Sequence, residues 1–119
     1  IVFPEWLRPD LVRHFIRGYF DGDGGLHINK ADNQMNIQII STKEMVLEIQ
    51  KIILKETNCK SYITHPERYA NNTYRMDSGG SRQVARFLKW IYQDATIYLD
   101  RKYELFKSYC DSHEFRFNN

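Results

Sequence analysis

Two carboxylates, Asp21 and Asp23, stand among Gly22, Gly24 and Gly25 at the end of an apolar segment that reads as a helix from Leu11 to Phe20. A helix C-terminus carries partial negative charge and favours Lys or Arg over acids. Two acids there call for compensation, and a bound cation is its simplest form. No His or Cys cluster has the spacing of a zinc site. The EF-hand loop fails as well, because Gly25, Leu26 and Asp32 fall where it needs Asp or Asn, Gly and Glu. Upstream, Gly18 and Gly22 are four residues apart and share one helix face. Mid-helix Gly costs about 1 kcal/mol relative to Ala, so this spacing predicts close approach by another backbone.

The surrounding chain has to position those acids. Ile1 to Arg8, broken by Pro4, predicts an extended arm packing Phe3 and Trp6 onto the domain. Pro9 suits the first turn of a helix, and Asp10 adds favourable charge there. The helix carries two apolar stripes: Leu11, Phe15, Gly18 and Gly22, and Val12, Ile16, Tyr19 and Phe20. A helix apolar on two sides is buried on two sides: one side can face its own core, and the other can face a second copy. Strands follow at Leu26 to Lys30, and at Gln34 to Ile40, where Met35, Ile37 and Ile39 alternate with Gln34, Asn36 and Gln38. Ser41 and Glu44 form a capping box for a second helix with the stripe Met45, Ile49, Ile52 and Ile53. Two more strands, Lys60 to His65 and Thr73 to Ser78, precede Gly79-Gly80. Ser81 caps a third helix, with Val84, Phe87, Leu88 and Ile91 as its stripe. A last helix holds Leu99, Tyr103 and Phe106, with Arg101, Lys102 and Lys107 as its positive charges.

This order predicts an α+β fold: one antiparallel four-stranded sheet with helices on one face. The uncovered face would show Asn29, Gln34, Asn36, Gln38, Lys60, Tyr62, Thr64, Arg75 and Asp77. Such a face is simply solvated, or it reads base edges, where Arg suits guanine and Asn or Gln suits adenine. The 119 residues predict one domain, 1–119 with residues 1–8 as the arm. With two Trp, eight Tyr and seven Phe, the chain can fill a core. Its net charge of +2 permits nucleic-acid binding without requiring it. Cys59 and Cys110 read as buried small residues rather than a disulfide framework. The absence of a long apolar run or signal peptide predicts an intracellular protein, in cytoplasm or organelle, with no membrane partner. A start at Ile1 rather than Met points to a processed product or a piece of a longer chain.

Ile16-Arg17-Gly18-Tyr19-Phe20-Asp21-Gly22-Asp23-Gly24 resembles the nine-residue signature of the LAGLIDADG homing endonucleases, in its Asp-Gly-Asp variant. Thr96 to Phe106, with the core Arg101-Lys102-Tyr103, looks like the C-terminal block of that family. The element order matches its αββαββα unit, so the resemblance runs from about Leu7 to Tyr109. It implies metal-dependent, site-specific cleavage of double-stranded DNA, saddle-shaped sheets in the major groove, and, with one motif per chain, a homodimer. It implies Asp23 as the catalytic metal-binding acid, the Gly22 carbonyl as a second ligand, and Lys102 as a catalytic residue stabilising charge at the scissile phosphate. Arg101 and Ser41 are accessory positions. Phe15, Gly18, Tyr19, Asp21 and Gly22 fall at the expected dimer interface, and Asn29, Gln34, Asn36, Gln38, Lys60, Tyr62, Thr64 and Arg75 on the expected DNA-facing sheet. Hard oxygen donors with waters point to Mg²⁺, with Mn²⁺ as substitute. The alternative is a non-cleaving DNA- or RNA-binding module, an intron maturase or a transcription regulator.

Overall fold

A computed structural model describes residues 3–4, 6–93, 95 and 100–112. A 3-10 turn, Pro9–Leu11, leads into α1 (Val12–Asp23), followed by β1 (Gly24–Ile28), β2 (Met35–Ser41), α2 (Lys43–Thr57), β3 (Tyr62–Thr64), β4 (Tyr74–Gly79), α3 (Ser81–Tyr92) and α4 (Asp100–Ser112). The strands form one antiparallel sheet in the order β1-β2-β4-β3. The alternation read from the sequence sets its inner face. Met35, Ile37, Ile39 and Met76 are fully buried and meet Ile16 and Phe20 of α1, Met45, Ile49 and Ile53 of α2, and Val84, Phe87, Leu88 and Ile91 of α3. The fold is therefore α+β with the helices over one face of the sheet. No helix of the described residues is long and apolar enough to cross a membrane.

Several local expectations shift. Helix α1 runs on through both acids to Asp23, with Gly24 closing it, because the Gly24 N–H still bonds to the Phe20 carbonyl. A Cβ on Gly24 would stand 2.7 Å from that carbonyl oxygen and would collide with the Phe20 ring, so only glycine lets β1 leave the helix here. Thr42, not Ser41, caps α2, its hydroxyl accepting from Met45 N at 3.2 Å. Ser41 is still paired in β2, opposite Tyr74. Gly80 (φ 100°) precedes α3, and Ser81 is its first residue. The Ser81 hydroxyl accepts from Met35 N at 2.9 Å and meets the Tyr109 hydroxyl at 2.6 Å. Tyr109 donates in turn to the Asn33 carbonyl at 2.8 Å, fastening α4 to the β1–β2 turn and to α3. In the arm, Phe3 packs edge-on to Phe15, but Trp6 is 83% exposed. Leu99 and the block residues 96–98 lie outside the described residues.

Both cysteines are buried and free. Burial raises the Cys110 thiol from 9.0 to about 11, aided by the neighbouring Asp111 charge. A raised folded-state value means stability present below about 9 and lost as the pH climbs toward 11. The melting temperature is expected to fall more steeply between pH 9 and 11 in the parent than in Cys110→Ala. Parallel slopes in melting scans would show that the thiol plays no part.

Candidate active site and sheet interface

The two acids of α1 have opposite environments. Asp21 is 7% exposed, and its Oδ1 accepts from the Tyr92 hydroxyl at 2.5 Å. Burial, and then that bond, hold the Tyr92 hydroxyl protonated far above the ordinary tyrosine range. The Tyr92 ring is itself held edge-on by Tyr103, at 5.3 Å between centroids. Asp23, two residues on, is exposed and enters no hydrogen bond or salt bridge with the described residues. A 100° step per residue turns the second acid away from the core as surely as it turns the first toward it. The acid pair is thus one anchor and one displayed carboxylate.

Lys102 answers the charge problem of the helix end. Its side chain is buried, 7% exposed, and its ammonium donates to the carbonyls of Phe20 at 2.8 Å and Asp21 at 2.7 Å. It also stands 5.2 Å from the centre of the Phe20 ring. A cation on the last carbonyls of a helix is the favourable electrostatic arrangement. Burial lowers the ammonium below the ordinary lysine range, and the charges of Asp21 and Asp23 oppose that shift. Lys102 is therefore not one of the surface charges of the last helix. Arg101 beside it is exposed.

The same device recurs at the ends of α2 and α3. Arg86 of α3 donates to the carbonyls of Thr57 at 2.8 Å and Asn58 at 2.9 Å, closing α2. Arg13 and Arg17 of α1 close α3, through Gln93 O at 2.9 Å and Ile91 O at 3.2 Å. Nothing in the sequence marks these three arginines, because each works on an element distant in the chain.

Beside the displayed acid lies an open helix face. Gly18 and Gly22 are exposed, and a Cβ built on either would meet nothing within 4 Å among the described residues. Leu11 continues that line and is 39% exposed. Phe15 and Tyr19, expected on the same interface, are half-buried. Phe15 lies under Phe3, and the Tyr19 hydroxyl bonds to Ser41 Oγ, which ties α1 to the end of β2.

Among the described residues, no three His, Cys, Asp or Glu side chains gather into a metal cluster. One copy offers the Asp23 carboxylate and nearby backbone carbonyls, all hard oxygen donors. That set fits Mg²⁺, which keeps several waters and takes one or two carboxylates together with phosphate oxygens. It does not form a closed protein cage for any ion.

The outer sheet face holds only part of the expected set. The register places His27 opposite Asn36, Gly25 opposite Gln38, Asp77 opposite both Gln38 and Tyr62, and Arg75 opposite both Ile40 and Thr64. Asn36, Gln38, Tyr62, Thr64 and Arg75 lie on this face as predicted, and Tyr62 is 76% exposed. Arg75 is not free: its Nε donates to both oxygens of Asp77, at 2.9 and 2.8 Å. Gln34 leaves the face, because it precedes β2 and its Oε1 accepts from Ser81 N at 2.8 Å at the start of α3. Asn29 sits in the β1–β2 turn, where its Oδ1 accepts from Ala31 N at 2.8 Å. Lys60 precedes β3 and is exposed at the sheet edge. His27 and Ile40 were missed as face residues, although the alternation of β1 and β2 assigns both to it.

The family described as LAGLIDADG-like domain matches residues 10–92. Among solved structures, the chain superposes on the archaeal intron-encoded homing endonuclease I-Vdi141I complexed with DNA, with TM-score 0.58, 14% identity, and coverage of 85% of this chain and 67% of that one. On the homing endonuclease I-CvuI in complex with its target, in the presence of Ca, the TM-score is 0.52, the identity 15%, and the coverage 68% and 54%. A variant of I-SmaMI gives a TM-score of 0.58 at 12% identity, covering 89% of this chain and 39% of that one. This chain thus spans about half the length of the I-CvuI chain. At these identities the likeness is one of fold. No match was found among curated protein sequences.

Proposed function

This chain belongs to the family of LAGLIDADG-like domains, and from that premise we propose that it is a site-specific, metal-dependent endonuclease of double-stranded DNA acting as a homodimer. The carrying observation is the exposed Asp23, unpaired among the described residues, at the end of a helix whose Gly18–Gly22 face meets no side chain among them. Packing that face against its own copy would bring two Asp23 carboxylates together, so each catalytic centre draws on both chains. Asp23 and the Gly22 carbonyl would hold Mg²⁺, or Mn²⁺ in its place. The metal supplies charge neutralisation at the phosphate and an acidified water.

The protein's own residues do the rest. Asp21, through Tyr92, and Lys102, through the helix carbonyls, fix the end of α1. The outer sheet face, with Asn36, Gln38, Tyr62, Thr64 and Arg75, would lie along the major groove, and exposed Lys60 and Arg101 would meet phosphates. Two neighbouring structures of the same fold are DNA complexes, which supports DNA as the partner.

The test is cleavage of supercoiled DNA carrying a randomised target region, with Mg²⁺ and with EDTA. Linear product confined to particular sequences, and only with metal, is expected. Gly18→Leu fills the open face and should shift sedimentation at micromolar concentration toward monomer, with loss of cleavage. An unchanged dimer would rule out that face. A second reading, a nucleic-acid-binding module without cleavage, is favoured by one observation: the Lys102 ammonium already serves two carbonyls. Sequence-specific binding with no product at any Mg²⁺ or Mn²⁺ concentration would decide for it.

A further inference from the structure

The outer sheet face has two glycines in register with the two amides of its central strand, one on each side. Gly25 of β1 pairs with Gln38, and Gly79 of β4 pairs with Asn36. A Cβ on Gly25 would stand 3.2 Å from both Gln38 Cγ and Gln38 Nε2, so this side chain lies along its length over the bare backbone of β1. A Cβ on Gly79 would stand 2.5 Å from Asn36 Oδ1, so the second amide rests over β4. Neither glycine has positive φ. Their value is therefore room rather than backbone freedom, and glycine inside a strand marks close approach.

The two amides differ in what they have left to offer. Asn36 Nδ2 donates to the Gln34 carbonyl at 3.2 Å. Gln38 makes no hydrogen bond to the described residues, so its carbonyl and both N–H groups remain available. A Gln with both ends free can hold adenine N6 and N7 together. A long side chain ordinarily loses rotamer freedom when it does so, and one already laid down loses less.

We propose that Gly25 and Gly79 are specificity-positioning residues: they seat Gln38 and Asn36 flat on the sheet, with Gln38 set in advance to read an adenine in the major groove. This rests on the DNA-binding reading above. The residues that read are the amides, and the glycines act only through them. The crowding an alanine would bring falls on side-chain atoms alone, so the strands can keep their pairing while the amides lift.

The experiment compares the parent with Gly25→Ala, Gly79→Ala, Gln38→Ala and the double variant Gly25→Ala/Gln38→Ala, by selection from a randomised duplex library and by melting. Gly25→Ala is expected to lower the preference for adenine at one base-pair position about tenfold, at the position where Gln38→Ala also loses it. The double variant should lose no more than Gln38→Ala alone, since coupled residues are not additive. Gly79→Ala should relax a different, neighbouring position. In the two glycine variants the melting temperature should stay as in the parent. Adenine preference kept in Gly25→Ala but lost in Gln38→Ala would overturn the seat, and preference kept in both would overturn the reader. Failure of the parent to bind any duplex would remove the DNA-binding reading and the base-reading role with it. The seat is judged without DNA, from side-chain amide order in ¹⁵N NMR. Gln38 Nε2 should be ordered in the parent and mobile in Gly25→Ala, and equal mobility in both would overturn it.

Discussion

Asp21→Ala is expected to lower stability by about 2 kcal/mol or more, and Asp23→Asn to leave the melting curve unchanged while removing cleavage. The two residues are the same type, two positions apart, on one helix. Removing Asp21 leaves the buried Tyr92 hydroxyl without the acceptor 2.5 Å away, and a buried donor left alone costs about 1–3 kcal/mol. It also withdraws an anion close to the Lys102 ammonium, whose burial is already unfavourable. For a domain of this size the melting temperature should drop by roughly 10 °C. Asp23 accepts no hydrogen bond from the described residues and is the smallest of the charges acting on Lys102, and exposed substitutions away from special features stay within about 0.5 kcal/mol. On the proposed endonuclease reading, loss of the carboxylate that would bind metal at the reacting phosphate should cost cleavage about a thousandfold, of the order seen when one electrostatic contact to a transition state is removed. Calorimetry and plasmid cleavage on both variants separate the roles. Equal destabilisation by the two, or cleavage surviving Asp23→Asn, would refute the division into anchor and displayed acid.

Lys102→Met should cost about 3 kcal/mol or more in chemical denaturation. Methionine keeps much of the stem and removes the ammonium. The Phe20 and Asp21 carbonyls would then lose the donor that lies 2.7–2.8 Å away. Hydrogen bonds to charged groups contribute about 1.5–3 kcal/mol each, the helix-end charge adds up to ~2 kcal/mol, and the desolvation of the ammonium, no longer required, offsets part of the sum. The comparison is informative because the motif resemblance gives this residue a role at the phosphate, whereas its geometry gives it a role at the helix end. A variant as stable as the parent but inactive would show that the ammonium acts on the phosphate. A variant that melts early, yet cleaves at temperatures where it is folded, would show that it acts on the helix.

The architecture was legible wherever burial imposes a period. Met35, Ile37 and Ile39 alternate and are all fully buried, and Val84, Phe87, Leu88 and Ile91 follow the helical stripe with the same result. Local chemistry was less legible where neighbours are equivalent. Ser41 and Thr42 are both able to cap α2, and the choice falls to Thr42 because β2 pairs through Ser41 before the chain turns. Gln34 continues the polar alternation of β2, but the strand starts one residue later and frees its amide for α3. The site itself was half legible. The acids, the open glycine face and the amides were readable from type and spacing. Which acid is displayed came only from the motif resemblance, since Tyr92 and Lys102 act across 71 and 81 positions of chain. Such pairings leave no periodic trace.

Helix termini are where a native protein ordinarily opens first, and amide protons there exchange early. In this chain α1, α2 and α3 each end on carbonyls held by a cation from a different element: Lys102, Arg86, and Arg13 with Arg17. The last turn of one helix therefore cannot loosen without releasing a side chain rooted elsewhere. Fraying that would be local in an isolated helix is thereby coupled to the release of a side chain from a second element. Asp23 is thus carried on a terminus whose carbonyls are tied to a second helix.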